Sequence, residues 1–119
     1  LMDANSQYDV EVEETHHTQK LDAPSGTAIS LAEGIIDNLD RKDSWKNDKI
    51  VSKNELSIDS IRTENLPGTH IVKYESDIDV VEIKHEAKNR KGFAFGAVLA
   101  AEFMNDKKGV YTMKDVLAI

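Results

Sequence analysis

Hydrophobic and polar residues alternate strictly near the beginning of the chain, over residues 8–17, YDVEVEETHH. The apolar residues fall on one side of an extended chain and the acidic residues on the other, which is typical of a strand with one face in solvent. A loop through Pro24 follows. From Ser25 to about Leu39 the apolar residues recur at helical spacing, so this segment is predicted to form an amphipathic helix.

The middle of the chain contains three further segments with the composition of strands. They are residues 56–63, 69–76 and 79–87. The short connection between the last two predicts an antiparallel hairpin. Residues 40–55 show no sustained period, and they are predicted to form an exposed connection in which Trp45 anchors to the body of the domain.

The C-terminal part of the chain is helical in pattern. Residues 92–105 are apolar on nearly every side, so this predicted helix is either buried on several sides or shared with a partner. Gly109 breaks the pattern, and Thr112 is a predicted cap for a last short helix. Together these elements predict a single α+β domain, in which a mixed sheet of about four strands packs with two main helices.

Composition narrows the functions open to the chain. Its 119 residues, 39% hydrophobic and 31% charged, suit one small folded domain and exclude a second complete one. A net charge of −7 without a basic run disfavours nucleic acid and anionic membranes as partners. The lack of cysteine excludes disulfides and suits a cytoplasmic protein. Leu1 is no natural initiator, so we expect the chain to be a piece of a longer protein.

The polar chemistry of the chain is concentrated in residues 16–28, HHTQKLDAPSGTA. The predicted helix starts at Ser25, Gly26 and Thr27, where free backbone amides, two hydroxyls and the positive end of the helix dipole suit an anion. No Glu or Gln follows three residues after Ser25 to complete a capping box. Two interpretations are open from these residues alone, an ordinary serine cap and an anion site.

Two histidines and a lysine lie close to this turn. His16 and His17 end the first predicted strand, so their side chains point to opposite faces unless the strand has begun to turn. Lys20 is near enough in sequence to pair with an anion or to donate a proton. A metal site is disfavoured, because no ligand spacing is present and His70 and His85 could join only through folding. A serine hydrolase is disfavoured because the G-x-S-x-G elbow is missing.

Residue by residue, this stretch resembles the signature of the dihydrodipicolinate reductase family. The matching pattern, E-x-HHxxKxDAPSGTA, comprises Glu14, His16, His17, Lys20, Asp22, Ala23, Pro24, Ser25, Gly26, Thr27 and Ala28. Weaker similarity continues in HEAKNRKGFAFGAV, residues 85–98, and in GVYTMKDVL near the end. The resemblance therefore covers essentially the whole chain in order.

The resemblance implies a fold and an activity. The family reduces 4-hydroxy-tetrahydrodipicolinate with NADH or NADPH on the diaminopimelate route to lysine, using a Rossmann domain for the cofactor. Its C-terminal domain, of the glyceraldehyde-3-phosphate dehydrogenase type, binds the dicarboxylate substrate and forms a homotetramer. This chain has no G-x-G-x-x-G motif and, by our expectation, no room for the βαβ unit that this motif requires. Residues 1–119 therefore resemble the substrate-binding and tetramerisation domain, without a cofactor or metal of its own.

The resemblance also implies roles for individual residues. The catalytic residues are His16, a proton donor or acceptor, and Lys20, the proton donor. The substrate-binding residues are His17, Ser25, Gly26 and Thr27. Arg90 and Phe93 match positions near the junction with the cofactor domain, although Arg90 is equally explained as a surface charge at a helix start. The competing hypothesis is a non-catalytic anion-binding or assembly module, which would not need His16 and Lys20 beside the helix start.

Overall fold

The computed structural model describes all residues, 1–119, and contains five strands and three helices. The strands are β1 (Asp9–His17), β2 (Ser44–Lys46), β3 (Glu55–Thr63), β4 (Thr69–Glu75) and β5 (Val80–Glu86). The helices are α1 (Gly26–Ile36), α2 (Lys91–Phe103) and α3 (Met113–Leu117). The chain forms two compact units, Leu1–Glu86 with the sheet and α1, and Ala87–Ile119 with α2 and α3.

All five strands belong to one mixed sheet with the order β2-β3-β1-β4-β5. The strands β2, β3 and β1 are parallel, whereas β4 is antiparallel to β1 and to β5. This confirms the predicted α+β class and the antiparallel hairpin. The strand that was not predicted is β2, which lies in the segment expected to be an exposed connection. Its three residues are too few to show an alternation, and Trp45 is half-buried against the core as expected.

The elements β1, α1 and β3 form a crossover between two parallel strands. β1 lies beside β3, with Val12 opposite Ile58, and α1 lies between them in sequence. The expectation that the chain has no room for a βαβ unit is therefore wrong, although the turn after β1 lacks the glycines of a dinucleotide motif. In such a unit the end of the first strand and the start of the helix lie at the same edge of the sheet, which places residues 16–28 together.

The core lies between the sheet and α1. Its buried apolar residues are Val10, Val12, Ala28, Ala32, Leu39, Leu56, Ile58 and Val72. The alternation in β1 is confirmed, since both valines are buried while Asp9, Glu11 and Glu13 on the other face are exposed or half-buried. The helix ends earlier than predicted, because the backbone bonds Asn38 to Ile35 and Leu39 to Ile36 tighten the chain after Asp37. Leu39 is buried from the following turn.

The second unit contains the two C-terminal helices. α2 coincides with the predicted helix to within two residues, but none of its residues is buried, and Phe93 and Phe95 are 55% and 64% exposed. The expectation that this helix is buried on several sides is therefore wrong for this chain. The alternative, a helix shared with a partner, stays a prediction. Thr112 caps α3 as predicted, and the Asp115 carboxylate accepts the Thr112 backbone N–H at 2.6 Å. No helix of this chain combines the length and apolar character needed to cross a bilayer.

Candidate functional site

The end of β1 carries polar residues on the face that holds the core further along the strand. Glu14 and His16 follow Val10 and Val12 at every second position, and they are buried like the valines, with 0% and 9% exposure. His17, the last residue of β1, lies on the other face and is half-buried. The expectation that the two histidines diverge is confirmed, because the strand continues through both.

Glu14 connects His16 to the start of α1. One carboxylate oxygen, Oε2, is paired with Nδ1 of His16. The other, Oε1, accepts the backbone N–H of Ser25 at 3.3 Å and Nη2 of Arg62 at 2.9 Å. Burial by itself would raise the pKa of the Glu14 carboxyl, but the hydrogen bonds from Arg62 and His16 outweigh it and hold the pKa below its ordinary value. Glu14 is therefore a buried carboxylate that is ionised at neutral pH.

Arg62 of β3 holds the loop between β1 and α1. Its Nη2 donates to the carbonyl of Asp22 at 2.7 Å as well as to Glu14, and its Nε donates to the carbonyl of Lys20 at 3.3 Å. A single guanidinium with several fixed donors suits this task better than a lysine would. Arg62 thus links the segment that carries Lys20 to the buried carboxylate.

Ser25 is the N-cap of α1. Its hydroxyl accepts the backbone N–H of Ala28 at 3.2 Å and lies 3.0 Å from Nε2 of His70. Burial, and then the charge of His16, lower the pKa of His70, which favours the neutral imidazole in this contact. Ser25 is only 2% exposed. Its hydroxyl and amide are both engaged, whereas Gly26 and Thr27 are exposed.

The histidines of β1 and β4 meet through folding. The rings of His16 and His70 pack edge to face, with their centroids 5.0 Å apart. Ligand atoms of these two residues and Glu14 lie within 4.8 Å of one another, which is a possible geometry for a metal ion. All three side chains are already used in other bonds, and Arg62 adds a positive charge to the same carboxylate. This charge disfavours a divalent cation there.

Gly68, just before β4, lies against the ring of His16. Its φ of +154° favours glycine, and a Cβ placed there would be 2.9 Å from Nε2 of His16. Nε2 therefore faces the backbone at Gly68, on the opposite side of the ring from Glu14. The lack of a side chain at this position makes room for the imidazole.

Lys20 lies on the loop, with its ammonium 2.8 Å from the carboxylate of Asp22. The hydrogen bond from Lys20 lowers the pKa of Asp22. The positive charge of Lys20 also contributes a little to the lowered pKa of His70. Arg90 and Phe93 belong to the second unit, at the N-cap and in the first turn of α2.

Sequence reasoning missed the supporting residues Arg62, Gly68 and His70 and gave Glu14 no role beyond the motif. A signal for Glu14 was present, because the alternation of β1 puts position 14 on the inward face, where an acidic residue requires a partner. No comparable signal marked Arg62, which is 48 residues away from Glu14.

The lowered pKa of Glu14 predicts that the free energy of unfolding depends on pH in the acidic range. The unfolded chain binds this proton at the ordinary glutamate pKa of ~4.3, whereas the folded chain binds it only at lower pH. The stabilisation by ionised Glu14 is thus complete above ~4.3 and lost as the pH falls through the folded pKa. Urea unfolding of the wild-type chain and Glu14→Gln should show a difference in stability that shrinks as the pH falls. A difference independent of pH would contradict this assignment.

The fold and the site define an α+β domain with a buried carboxylate–histidine pair, which lies at the carboxyl end of a parallel strand and beside a helix N-terminus. A family model described as "Dihydrodipicolinate reductase, C-terminus" matches residues 1–117. The chain belongs to this family.

Individual relatives agree with this assignment. The 4-hydroxy-tetrahydrodipicolinate reductase of Christiangramia forsetii is 52% identical over 118 residues, which are 99% of this chain and 49% of that protein. The same-named protein of Methanococcoides burtonii is 42% identical over 94% of this chain and 44% of its own length. The chain thus spans about half the length of the curated relatives it matches.

A solved structure also resembles the fold. It is a dipicolinate-bound dihydrodipicolinate reductase from Paenisporosarcina sp. TG-14, with a TM-score of 0.64 and 30% sequence identity. The match covers 90% of this chain and 44% of that one.

Proposed function

We propose that this chain is the substrate-binding and catalytic part of a 4-hydroxy-tetrahydrodipicolinate reductase that acts in cytoplasmic lysine and diaminopimelate biosynthesis. The observation that carries the proposal is the Glu14 carboxylate, which joins the candidate acid His16 to the start of α1 at Ser25. His16 is therefore separated from the first turn of α1 by a single carboxylate, close enough for an acid and an anion pocket to serve one small substrate. This proximity favours the enzyme over a non-catalytic module.

The dicarboxylate substrate would be bound at the start of α1. Gly26 and Thr27 are exposed there and offer small side chains and the positive end of the helix dipole. Lys20 and His17 would add a cation and a ring donor. Since the hydroxyl and amide of Ser25 are engaged, its contribution would be mainly to hold the first turn in place. The relative solved with dipicolinate supports a ligand of this chemistry.

The chain's own residues would supply the proton chemistry. NADH or NADPH would supply a hydride, and residues outside this chain would bind it, because no G-x-G-x-x-G turn is present here. The net reaction takes up this hydride and one proton and releases the 4-hydroxyl as water. Lys20 would donate a proton and His16 would donate or accept one as charge develops on the ring. A positioned acid typically contributes ~10² to 10⁴ in rate.

Two parts of the molecule have roles that rest on family resemblance alone. Arg90 and Phe93 would lie at the junction with the cofactor-binding part. The apolar side chains that are exposed on β5 and α2 would lie in the contacts of a homotetramer, since Ile83 and Phe95 are 65% and 64% exposed.

A chimeric reductase tests the proposed function. In the Christiangramia forsetii relative, this chain replaces the half that it matches, and NADH or NADPH oxidation is followed with the 4-hydroxy substrate. We expect substrate-dependent oxidation that dipicolinate inhibits. The chain alone is expected to bind dipicolinate weakly or not at all and NADH not at all, as measured by calorimetry. A folded chimera without turnover, or tight NADH binding by the chain alone, would contradict the proposal.

A further inference from the structure

The two oxygens of the Glu14 carboxylate face different groups. Oε1 faces the guanidinium of Arg62 and the backbone N–H of Ser25, and both of these groups are donors only. Oε2 faces Nδ1 of His16. A carboxylate that is ionised can only accept hydrogen bonds, so Nδ1 must carry the hydrogen in this pair.

The opposite ring nitrogen of His16, Nε2, is not bonded to Glu14. Nε2 of His16 faces Gly68, where the missing side chain makes room for the ring itself. His70 does not use this nitrogen, because its own Nε2 points to Ser25 and the two rings meet only edge to face. Because Nδ1 is committed to Glu14, Nε2 is the ring nitrogen that remains to exchange a proton.

The geometry points to Glu14 as the positioning residue for His16. It holds the imidazole hydrogen on Nδ1, through a carboxylate that is itself oriented by Arg62, and so makes Nε2 the nitrogen that exchanges a proton with the substrate. This inference rests on the proposed function for its last step, whereas the tautomer depends on the chain alone. Arg62 of β3, His70 of β4 and Lys20 of the loop are the other charged or titratable groups around this pair.

The substitution Glu14→Gln tests this inference sharply, because the partners around the two carboxylate oxygens differ in whether they must donate a hydrogen bond. Arg62 and Ser25 need an acceptor, so the amide oxygen must take the place of Oε1. The amide NH₂ then takes the place of Oε2 and donates to Nδ1 of His16, which must become an acceptor. The hydrogen on the ring moves to Nε2, and the tautomer is inverted.

The experiment is ¹⁵N NMR of the histidine side chains, recorded on this chain without ligand under alkaline conditions, where imidazoles are neutral. His16 is expected to show a protonated Nδ1 and an unprotonated Nε2 in the wild type, and the reverse in Glu14→Gln. The matched control is Glu13→Gln, which changes the neighbouring residue on the other face of β1 and should leave the wild-type pattern intact.

Several results would overturn the inference. A wild-type His16 that carries its hydrogen on Nε2 would overturn it. This measurement needs no variant, so it can be made even if Glu14→Gln fails to fold. An unchanged tautomer in folded Glu14→Gln, or inversion in Glu13→Gln as well, also overturns it.

Turnover in the chimeric reductase provides the functional readout. Glu14→Gln should lower kcat by about 10²- to 10⁴-fold with KM within a few-fold. The analogous Asp→Asn change at a histidine's carboxylate partner in serine proteases acts through the wrong tautomer. A loss of the same size in kcat/KM that comes from a higher KM, with kcat unchanged, would overturn the positioning role. A chimera without any turnover but with the expected tautomers would instead count against the proposed function, so the two failures are distinguishable.

Discussion

Replacing either His16 or Lys20 in the chimeric reductase should lower kcat by about 10²- to 10⁴-fold, while the affinity for substrate falls far less. The physical reason is that each side chain would transfer a proton as charge develops, His16 as donor or acceptor and Lys20 as donor. Such a transfer affects the transition state more than the bound substrate. His16 is also buried and oriented by Glu14, so a solvent proton is a poor substitute for it.

Steady-state kinetics of His16→Asn and Lys20→Met, with dipicolinate inhibition as the measure of affinity, test this expectation. Lys53→Met, in the exposed turn before β3, is a matched control for the lysine variant. It should retain the turnover of the parent. Unchanged turnover after both single replacements at the site would refute the acid roles.

Gly68→Ala should destabilise the chain by about 1–3 kcal/mol and reduce turnover in the chimera. The φ of +154° is strained for any L side chain, and the new Cβ would lie 2.9 Å from Nε2 of His16. The backbone or the imidazole must shift to relieve that contact. Because Nε2 is the nitrogen that we infer to be active, even a variant that folds should lose turnover.

Urea unfolding provides the measurement, and another glycine provides the control. Gly34 lies in α1 with nothing within 4 Å of an added Cβ. Gly34→Ala should therefore stabilise the chain by about 0.5–1 kcal/mol, through the higher helix propensity of alanine. Opposite signs for the two variants are expected. A Gly68→Ala chain as stable as the wild type would show that His16 does not depend on this close approach.

Local pattern was sufficient for most of the elements. The alternation over residues 8–17 placed β1 correctly, and the helical spacing after Ser25 placed α1 with an error only at its end. Both patterns work because a half-buried strand or helix repeats its apolar face at a fixed period. The three residues of β2 contain too little repetition for such a signal, which is why this strand was missed.

The pattern of hydrophobic positions could not show what covers an apolar surface. Residues 92–105 form a helix as predicted, yet Phe93 and Phe95 are largely exposed in this chain. An apolar face has the same sequence whether it is buried by its own chain or by another. The wholly exposed β5 presents the same ambiguity at the edge of the sheet.

The sequence by itself determined the fold class, the first turn of α1 and, through an ordered motif, the family to which the chain belongs. Only the tertiary structure decided how the candidate site is held together. Arg62 reaches Glu14 across 48 residues and His70 reaches Ser25 across 45, and such contacts leave no local period. They form because the parallel and antiparallel pairing of β3 and β4 with β1 brings their side chains to one edge of the sheet, around a carboxylate that could not be buried alone.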